Sequence, residues 1–243
     1  MERMLAELVG TALLVLLGNG VVAGVLLSKS KAQNAGWIVI ATGWGLALAV
    51  AVYAVGSISG AHLNPAITIG QLVVGGIDGG DALLYIVGQF IGAFVGAVLV
   101  WLHYLPHWAA TEDPGLKLAS FSTGPAIRST PANLVAEAIG TFVLAFGVSA
   151  ILLPGNDVGP LAGLLIGGLL FAIGLSLGGP TGYAVNPARD LGPRIAHAIL
   201  PIAGKGDSDW AYAWVPVVGP LIGGVLGALT FQLLYGSGSP LGA

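Results

Sequence analysis

Six separate stretches of this chain are each long and apolar enough to cross a lipid bilayer, and that constrains the fold more than any other feature. A spanning helix needs about 20 largely apolar residues, because the hydrocarbon core is about 30 Å thick and each helical residue rises about 1.5 Å. The stretches cover residues 5–27, 37–56, 83–104, 132–153, 161–178 and 213–234. The first is too long for a cleaved signal peptide, and no small-residue cleavage pattern follows it. Only helices and closed barrels satisfy their backbone polar groups in lipid, and barrel strands would alternate polar and apolar residues, which these stretches do not. The reading is an all-α membrane protein. Charged residues make up 8% of the 243, against about 25% in an ordinary soluble domain. That excludes a soluble globular enzyme, a disordered chain and a coiled coil. The net charge is −3 with no basic cluster, so no nucleic-acid partner is expected. The absence of cysteine excludes disulfides, thiolate metal sites and cysteine nucleophiles, and no cofactor is implied.

Two further apolar pieces, residues 65–74 and 187–199, are too short to cross, since ten helical residues reach about 15 Å. Their meaning comes from an internal repeat. Glu7, Gly10 and Thr11 return as Glu137, Gly140 and Thr141; Gly88, Gly92 and Gly96 return as Gly219, Gly223 and Gly227. Between them, the run from Gly60 through Asn64-Pro65-Ala66 returns from Gly182 through Asn186-Pro187-Ala188. The landmarks keep their order, so the chain reads as a duplication: a first repeat at 1–105, a link at 106–131 and a second repeat at 132–243. Each repeat holds three spans. Three is odd, so the second repeat enters the membrane upside down and the two short pieces dip in from opposite faces as half-spanning helices. Inverted repeats with broken helices at the midplane are one way to build a membrane pathway. The link is polar and proline-containing, and is expected to be the longest loop. The repeated glycines, spaced by four, are expected to let helices approach closely. Trp101, His103, Tyr104, His107 and Trp108 read as an interfacial aromatic belt.

Asn64 and Asn186 carry the chemistry. Asn is a favoured N-cap and Pro a favoured first helical residue. Each side-chain oxygen can accept from its own half-helix, which leaves an NH₂ group with two free donors. If both half-helices begin at the bilayer centre, these donors and two positive helix ends converge on one spot. Such a spot favours a small neutral solute with an acceptor oxygen and repels cations, protons included. It also holds the hydrogens of a passing water outward, which breaks a proton wire. The glycine-rich runs before each Asn, residues 57–63 and 178–185, are too irregular for helix. Non-helical backbone is tolerated at this depth only where it is buried or lines a polar cavity. It is expected to offer a ladder of carbonyl acceptors from Gly60, Ala61, His62, Gly182, Tyr183 and Ala184, facing an apolar wall.

Charges within these apolar segments cost about 2.5–3.5 kcal/mol each at a span centre, so each needs a reason. Glu7 and Glu137 occupy equivalent repeat positions. They fit a scaffold that accepts backbone N–H groups from the irregular loops, or a proton relay; their symmetry favours the scaffold. Arg189 has no counterpart in the first repeat, where Ile67 stands. It opposes the dipole of its own helix, which points to a pore-lining donor fork.

The runs around Asn64 and Asn186, the second continuing into Arg189-Asp190, resemble the paired signatures of the aquaporin superfamily over the whole chain. The resemblance implies six tilted spans plus two half-helices, a pore in each subunit of a homotetramer, and passive conduction in a lipid bilayer. Within the superfamily the chain looks like the glycerol facilitators, or aquaglyceroporins. Asp190, Arg194 and Pro216 before the last span match that group, although Val217 departs from its usual leucine. The resemblance maps a selectivity filter to Trp44, Gly174, Tyr183 and Arg189. Gly174 stands where water-selective members carry histidine, and so widens the constriction. Tyr183 stands where phenylalanine is typical, and its hydroxyl is expected to make the filter narrower and more polar. The solutes implied are glycerol and similar polyols, water, and also dihydroxyacetone, urea or protonated small organic acids.

The competing readings are a water-preferring channel, a proton- or sodium-coupled secondary transporter, and a non-conducting structural membrane protein. An enzyme would need a nucleophile–base pair, metal cluster or phosphate loop, which the sequence does not offer. The resemblance implies cytoplasmic termini in a multi-pass protein of a bacterial cell membrane. The charges oppose that orientation: the cytoplasmic segments would carry only Arg3, and the other side Lys29, Lys31, Lys117, Arg128, Arg194 and Lys205.

Overall fold

A computed structural model describes residues 1–236 of the chain. Every regular element among them is helical. The six spans are α1 (Glu2–Leu26), α2 (Trp37–Ser59), α4 (Gly79–His103), α7 (Thr130–Ile151), α8 (Ala162–Leu177) and α10 (Val215–Tyr235). A short 3₁₀ turn, Gly159–Leu161, lengthens α8 at its start. The half-spanning helices are α3 (Pro65–Val73) and α9 (Pro187–Ile199). Both are capped as their sequences dictate: Asn64 accepts from Ala66 N at 2.8 Å, Asn186 from Ala188 N at 3.0 Å and Arg189 N at 3.2 Å, and proline follows each cap.

The glycine triplets explain how the spans pair. A Cβ on Gly88, Gly92 or Gly96 of α4 would stand 2.5, 2.2 and 2.6 Å from carbonyl oxygens of α1. On α10, a Cβ at Gly223 or Gly227 would stand 2.1 and 2.7 Å from carbonyl oxygens of α7. Only hydrogen fits there, so backbone packs directly on backbone, as small residues allow in lipid. The half-helices cross over. Gly70 of α3 meets Gly224 of α10, and Gly192 of α9 meets Ala93 of α4, so each half-helix rests on a span of the other half. Between the halves, Gly45 of α2 and Gly167 of α8 face each other reciprocally. A Cβ on either would stand 2.7 or 2.4 Å from the other's carbonyl oxygen. Equivalent residues meeting each other is the signature of a twofold relation, here an inverted repeat. Large apolar residues such as Leu5, Ile38, Leu83 and Leu164 remain exposed on the outer faces of the spans, where a bilayer would cover them.

Three expectations are corrected. Helix α2 continues through Ser59, so only residues 60–63 of the first irregular run are non-helical. The second run, 178–185, is non-helical throughout. The link at 106–131 is not a plain polar loop. It contains α5 (Leu105–Ala110) and α6 (Pro114–Ala119), and it folds inward because it carries Trp108 and Phe121, both buried and packed together at 5.4 Å. Trp108 is therefore core, with its indole donating to Trp101 O, and not part of an aromatic belt. Asn19, buried within α1, donates to Phe121 O at 2.9 Å and ties the link to the bundle.

Candidate functional site

A cavity runs along the axis between the halves. One side is apolar, from Leu14, Leu48, Ile67, Leu144, Ile166 and Leu170; the other carries residues 60–64, 183–186 and Arg189. Asn64 and Asn186 both line it, brought from opposite ends of the chain by α3 and α9. Their amide groups are less free than expected. Asn64 Nδ2 donates to Val185 O and Asn186 Nδ2 to Leu63 O, each at 2.8 Å. One N–H of each amide thus fastens the other repeat's loop, which leaves one N–H per residue for the cavity.

Those loops hold a strained backbone. Ala61, Leu63, Tyr183 and Val185 have φ of +53°, +53°, +41° and +46°, at matching positions of the two repeats. The left-handed region costs a non-glycine residue about 1–2 kcal/mol. Glu7 and Glu137 supply the restraint. Glu7 accepts from His62 N (3.0 Å), Leu63 N (2.7 Å), Ser59 Oγ (2.6 Å) and Gln89 Nε2 (2.7 Å). Glu137 accepts from Ala184 N (3.0 Å) and Val185 N (2.9 Å), and Thr181 bonds it as well. Both carboxylates are sealed from the cavity, at 0% and 1% exposure, so they hold the loops and face no solute.

The same bonds orient the carbonyls. No peptide in the described chain is cis, and in a trans peptide the carbonyl of one residue points opposite to the N–H of the next. With the N–H groups of His62, Leu63, Ala184 and Val185 turned to the glutamates, the carbonyls of Ala61, His62, Tyr183 and Ala184 turn the other way. All four residues line the cavity. Gly60 lines it too. Gly182 does not: it sits against Thr123 in a left-handed conformation, φ +81°, as backing for the loop.

At one end of this track stand Trp44, Tyr183 and Arg189. The Arg189 guanidinium lies over the Trp44 ring at 4.1 Å, within cation–π range. It makes no hydrogen bond within the described residues, so its donors are open to a molecule in the cavity. Gly174 stands behind Tyr183 and does not border the cavity: a Cβ there would lie 2.8 Å from Tyr183 Cζ and 2.9 Å from its hydroxyl. The missing side chain makes room for the tyrosine ring. The Tyr183 hydroxyl is buried beside Gly174 without a hydrogen-bond partner, so it adds no polar group to the passage, contrary to the sequence expectation. At the other end, a polar chamber of about 270 Å³ adjoins the cavity at Gly60 and His62. Arg3, Asp78, Asp81 and Tyr85 line it, and Arg3 pairs with Asp81 at 3.0 Å.

A family model described as major intrinsic protein matches residues 1–231. The chain belongs to the major intrinsic protein family. This major intrinsic protein is 60% identical over 236 residues to a probable glycerol uptake facilitator protein of Thermotoga maritima, covering 97% of this chain and 100% of that one. It is 57% identical over 229 residues to a glycerol uptake facilitator protein of Bacillus subtilis, with 94% and 83% covered. Its fold matches the X-ray structure of the aquaglyceroporin from Plasmodium falciparum with a TM-score of 0.82 at 29% identity, over 95% of each chain.

Sequence reasoning gave Asp190 and Arg194 of this major intrinsic protein only as markers; in the fold they form a buried clamp. Arg194 bonds Asp190 at 2.8 and 3.0 Å, both side chains fully buried. Asp190 also accepts from Thr123 N and Oγ1, and Arg194 donates to the carbonyls of Thr123, Ser208 and Asp209. The pair pins two loops onto α9 beside Arg189. Its i, i+4 spacing was legible; its loop partners, 67 or more residues away for Thr123, were not. Pro216 lies inside the first turn of α10, buried, and not ahead of it. Gln89, which with Ser59 completes the Glu7 site, and Trp37, which donates to Gly174 O, carried no sequence signal.

Proposed function

We propose that this chain is a passive channel for glycerol and similar small neutral polyols, with water, in the bacterial cell membrane, and that it excludes ions and protons. One observation carries the reading: two asparagine amides on opposed half-helices border one cavity whose one wall is apolar and whose other wall presents backbone carbonyls. A polyol has hydroxyls along one edge and C–H groups along the other, and such a passage matches both. The single free N–H on each asparagine still meets an acceptor oxygen, and two positive helix ends disfavour a cation there. The relatives' printed names, glycerol uptake facilitator, agree in substrate. Trp44, Tyr183 and Arg189 act as the outer constriction, with Gly174 as its backing. The boundaries 1–105, 106–131 and 132–243 delimit the two repeats and their link.

A coupled transporter or an enzyme is disfavoured on its chemistry. Glu7 and Glu137, the carboxylates a proton relay would need, are occupied by loop N–H groups and sealed from the cavity. Orientation follows the resemblance, with cytoplasmic termini. The opposing charge count loses weight because four of its six cations are bound within the fold. Lys117 donates to Ala203 O, Lys205 to the carbonyls of His197, Ala198 and Leu200, Arg128 pairs with Asp209, and Arg194 with Asp190. Assembly as a homotetramer would cover part of the apolar outer faces.

Stopped-flow light scattering on proteoliposomes tests the reading. Glycerol entry well above that of protein-free vesicles, unaffected by a proton gradient, is expected. Fast water flow with glycerol entry at the protein-free rate would establish the water-preferring alternative instead.

A further inference from the structure

Behind the outer constriction lies a second layer that does not border the passage. Tyr183 lines the cavity, and its ring also fills a trough between Gly174 in the last turn of α8 and Gly178, the residue that caps it. A Cβ at Gly178 would stand 2.6 Å from ring Cδ1, as one at Gly174 would stand 2.8 Å from Cζ. Trp37, the first residue of α2, closes the trough. Its ring meets Tyr183 edge-on at 5.8 Å and 75°, and it lies 2.7 Å from where a Gly178 Cβ would be. Its indole N–H donates to Gly174 O at 2.9 Å. That carbonyl belongs to the last turn of α8, where carbonyls lack partners within the helix.

The Tyr183 ring is buried, at 3% exposure, and is held by packing alone. Its backbone is left-handed, and its hydroxyl has no hydrogen bond. Glu137 restrains the peptides that follow, not the side chain. The geometry points to Trp37 as a positioning residue that sets the width of the outer constriction by pinning the Tyr183 ring against α8. Trp37 does not line the cavity, so it acts on a solute only through Tyr183. A smaller side chain there opens space behind the ring, the ring falls back, and the passage widens toward longer polyols. This rests on the polyol-channel reading above.

The test compares wild type, Trp37→Phe and Trp37→Ala in proteoliposomes, measuring entry of glycerol and of the four-carbon polyol erythritol, with water flow as the insertion control. One methylene of steric fit can be worth roughly tenfold in discrimination. The erythritol-to-glycerol rate ratio should therefore rise by about threefold or more in Trp37→Ala, and by a smaller factor in Trp37→Phe, which keeps a ring but loses the N–H donor. A residue that only glued α2 to α8 would lower all three rates together and leave the ratio alone; an unchanged ratio in both variants overturns the inference. If Trp37→Ala does not assemble, Trp37→Phe decides by the same ratio. Wild-type glycerol entry at the protein-free rate is a separate outcome: it removes the polyol reading, and this inference with it.

Discussion

Glu7→Gln tests whether the buried glutamates are scaffold. Each carboxylate oxygen of Glu7 receives two donors: Ser59 Oγ and His62 N on one, Leu63 N and Gln89 Nε2 on the other. Glutamine keeps one acceptor oxygen and adds a donor group. Whichever way the amide turns, at least one backbone N–H is left facing it without an acceptor. A buried donor in that position costs about 1–3 kcal/mol, so one or two orphans cost about 1–6 kcal/mol together. The loop they restrain stores about 2–4 kcal/mol at Ala61 and Leu63, both at φ +53°. The two figures are comparable, so the loop should relax, withdraw its carbonyls from the passage, and loosen the bond from Asn186 to Leu63 O. Glycerol entry in proteoliposomes should fall by about tenfold or more, equivalent to roughly 1.4 kcal/mol of added barrier. The thermal midpoint of the detergent-solubilised protein should fall with it. Wild-type conduction and an unchanged midpoint would refute the scaffold argument. Conduction that becomes independent of a proton gradient only in the variant would establish a relay in its place.

Other substitutions probe separate parts of the structure. Gly174→Ala forces the Tyr183 ring off a position 2.8 Å from the new Cβ; with Trp37 behind it the ring moves into the passage, and glycerol entry should fall more than water flow in the same vesicles. Tyr183→Phe removes a buried hydroxyl that has no partner, so the thermal midpoint should hold or rise and the solute ranking should stay within about twofold, since no hydrogen bond is lost. Arg194→Met strands the buried Asp190 carboxylate, a loss of about 3–5 kcal/mol; it should appear as a lower thermal midpoint and faster proteolysis near residues 121–124 and 208–209.

Much of this protein was legible in its residues because the relevant signals are local. Apolar length set the spans within a few residues, Asn-Pro set the starts of α3 and α9, and a spacing of four marked the glycine faces. The equivalence of Glu7 with Glu137 was also readable, since duplication leaves its register in the chain. The errors arose where a side chain's partner lies far away along the sequence. Asn64 bonds a carbonyl 121 residues distant and Asn186 one 123 distant, so the number of donors left for a solute could not be counted beforehand. The link at 106–131 looked polar by composition, yet its aromatic residues found a buried site beside α1 that only the assembled bundle provides.

From the chain alone one learns that it crosses a membrane six times, that it is a duplication, and that two asparagine-capped half-helices must meet within it. These follow from hydrophobic length, odd span count and capping chemistry, all properties of short segments. Which way Tyr183 turns its hydroxyl, what occupies the space at Gly174, and how Asp190 and Arg194 fasten two loops were decided only by the tertiary structure. Close packing between segments distant in sequence selects one rotamer and one partner from several that local chemistry permits equally.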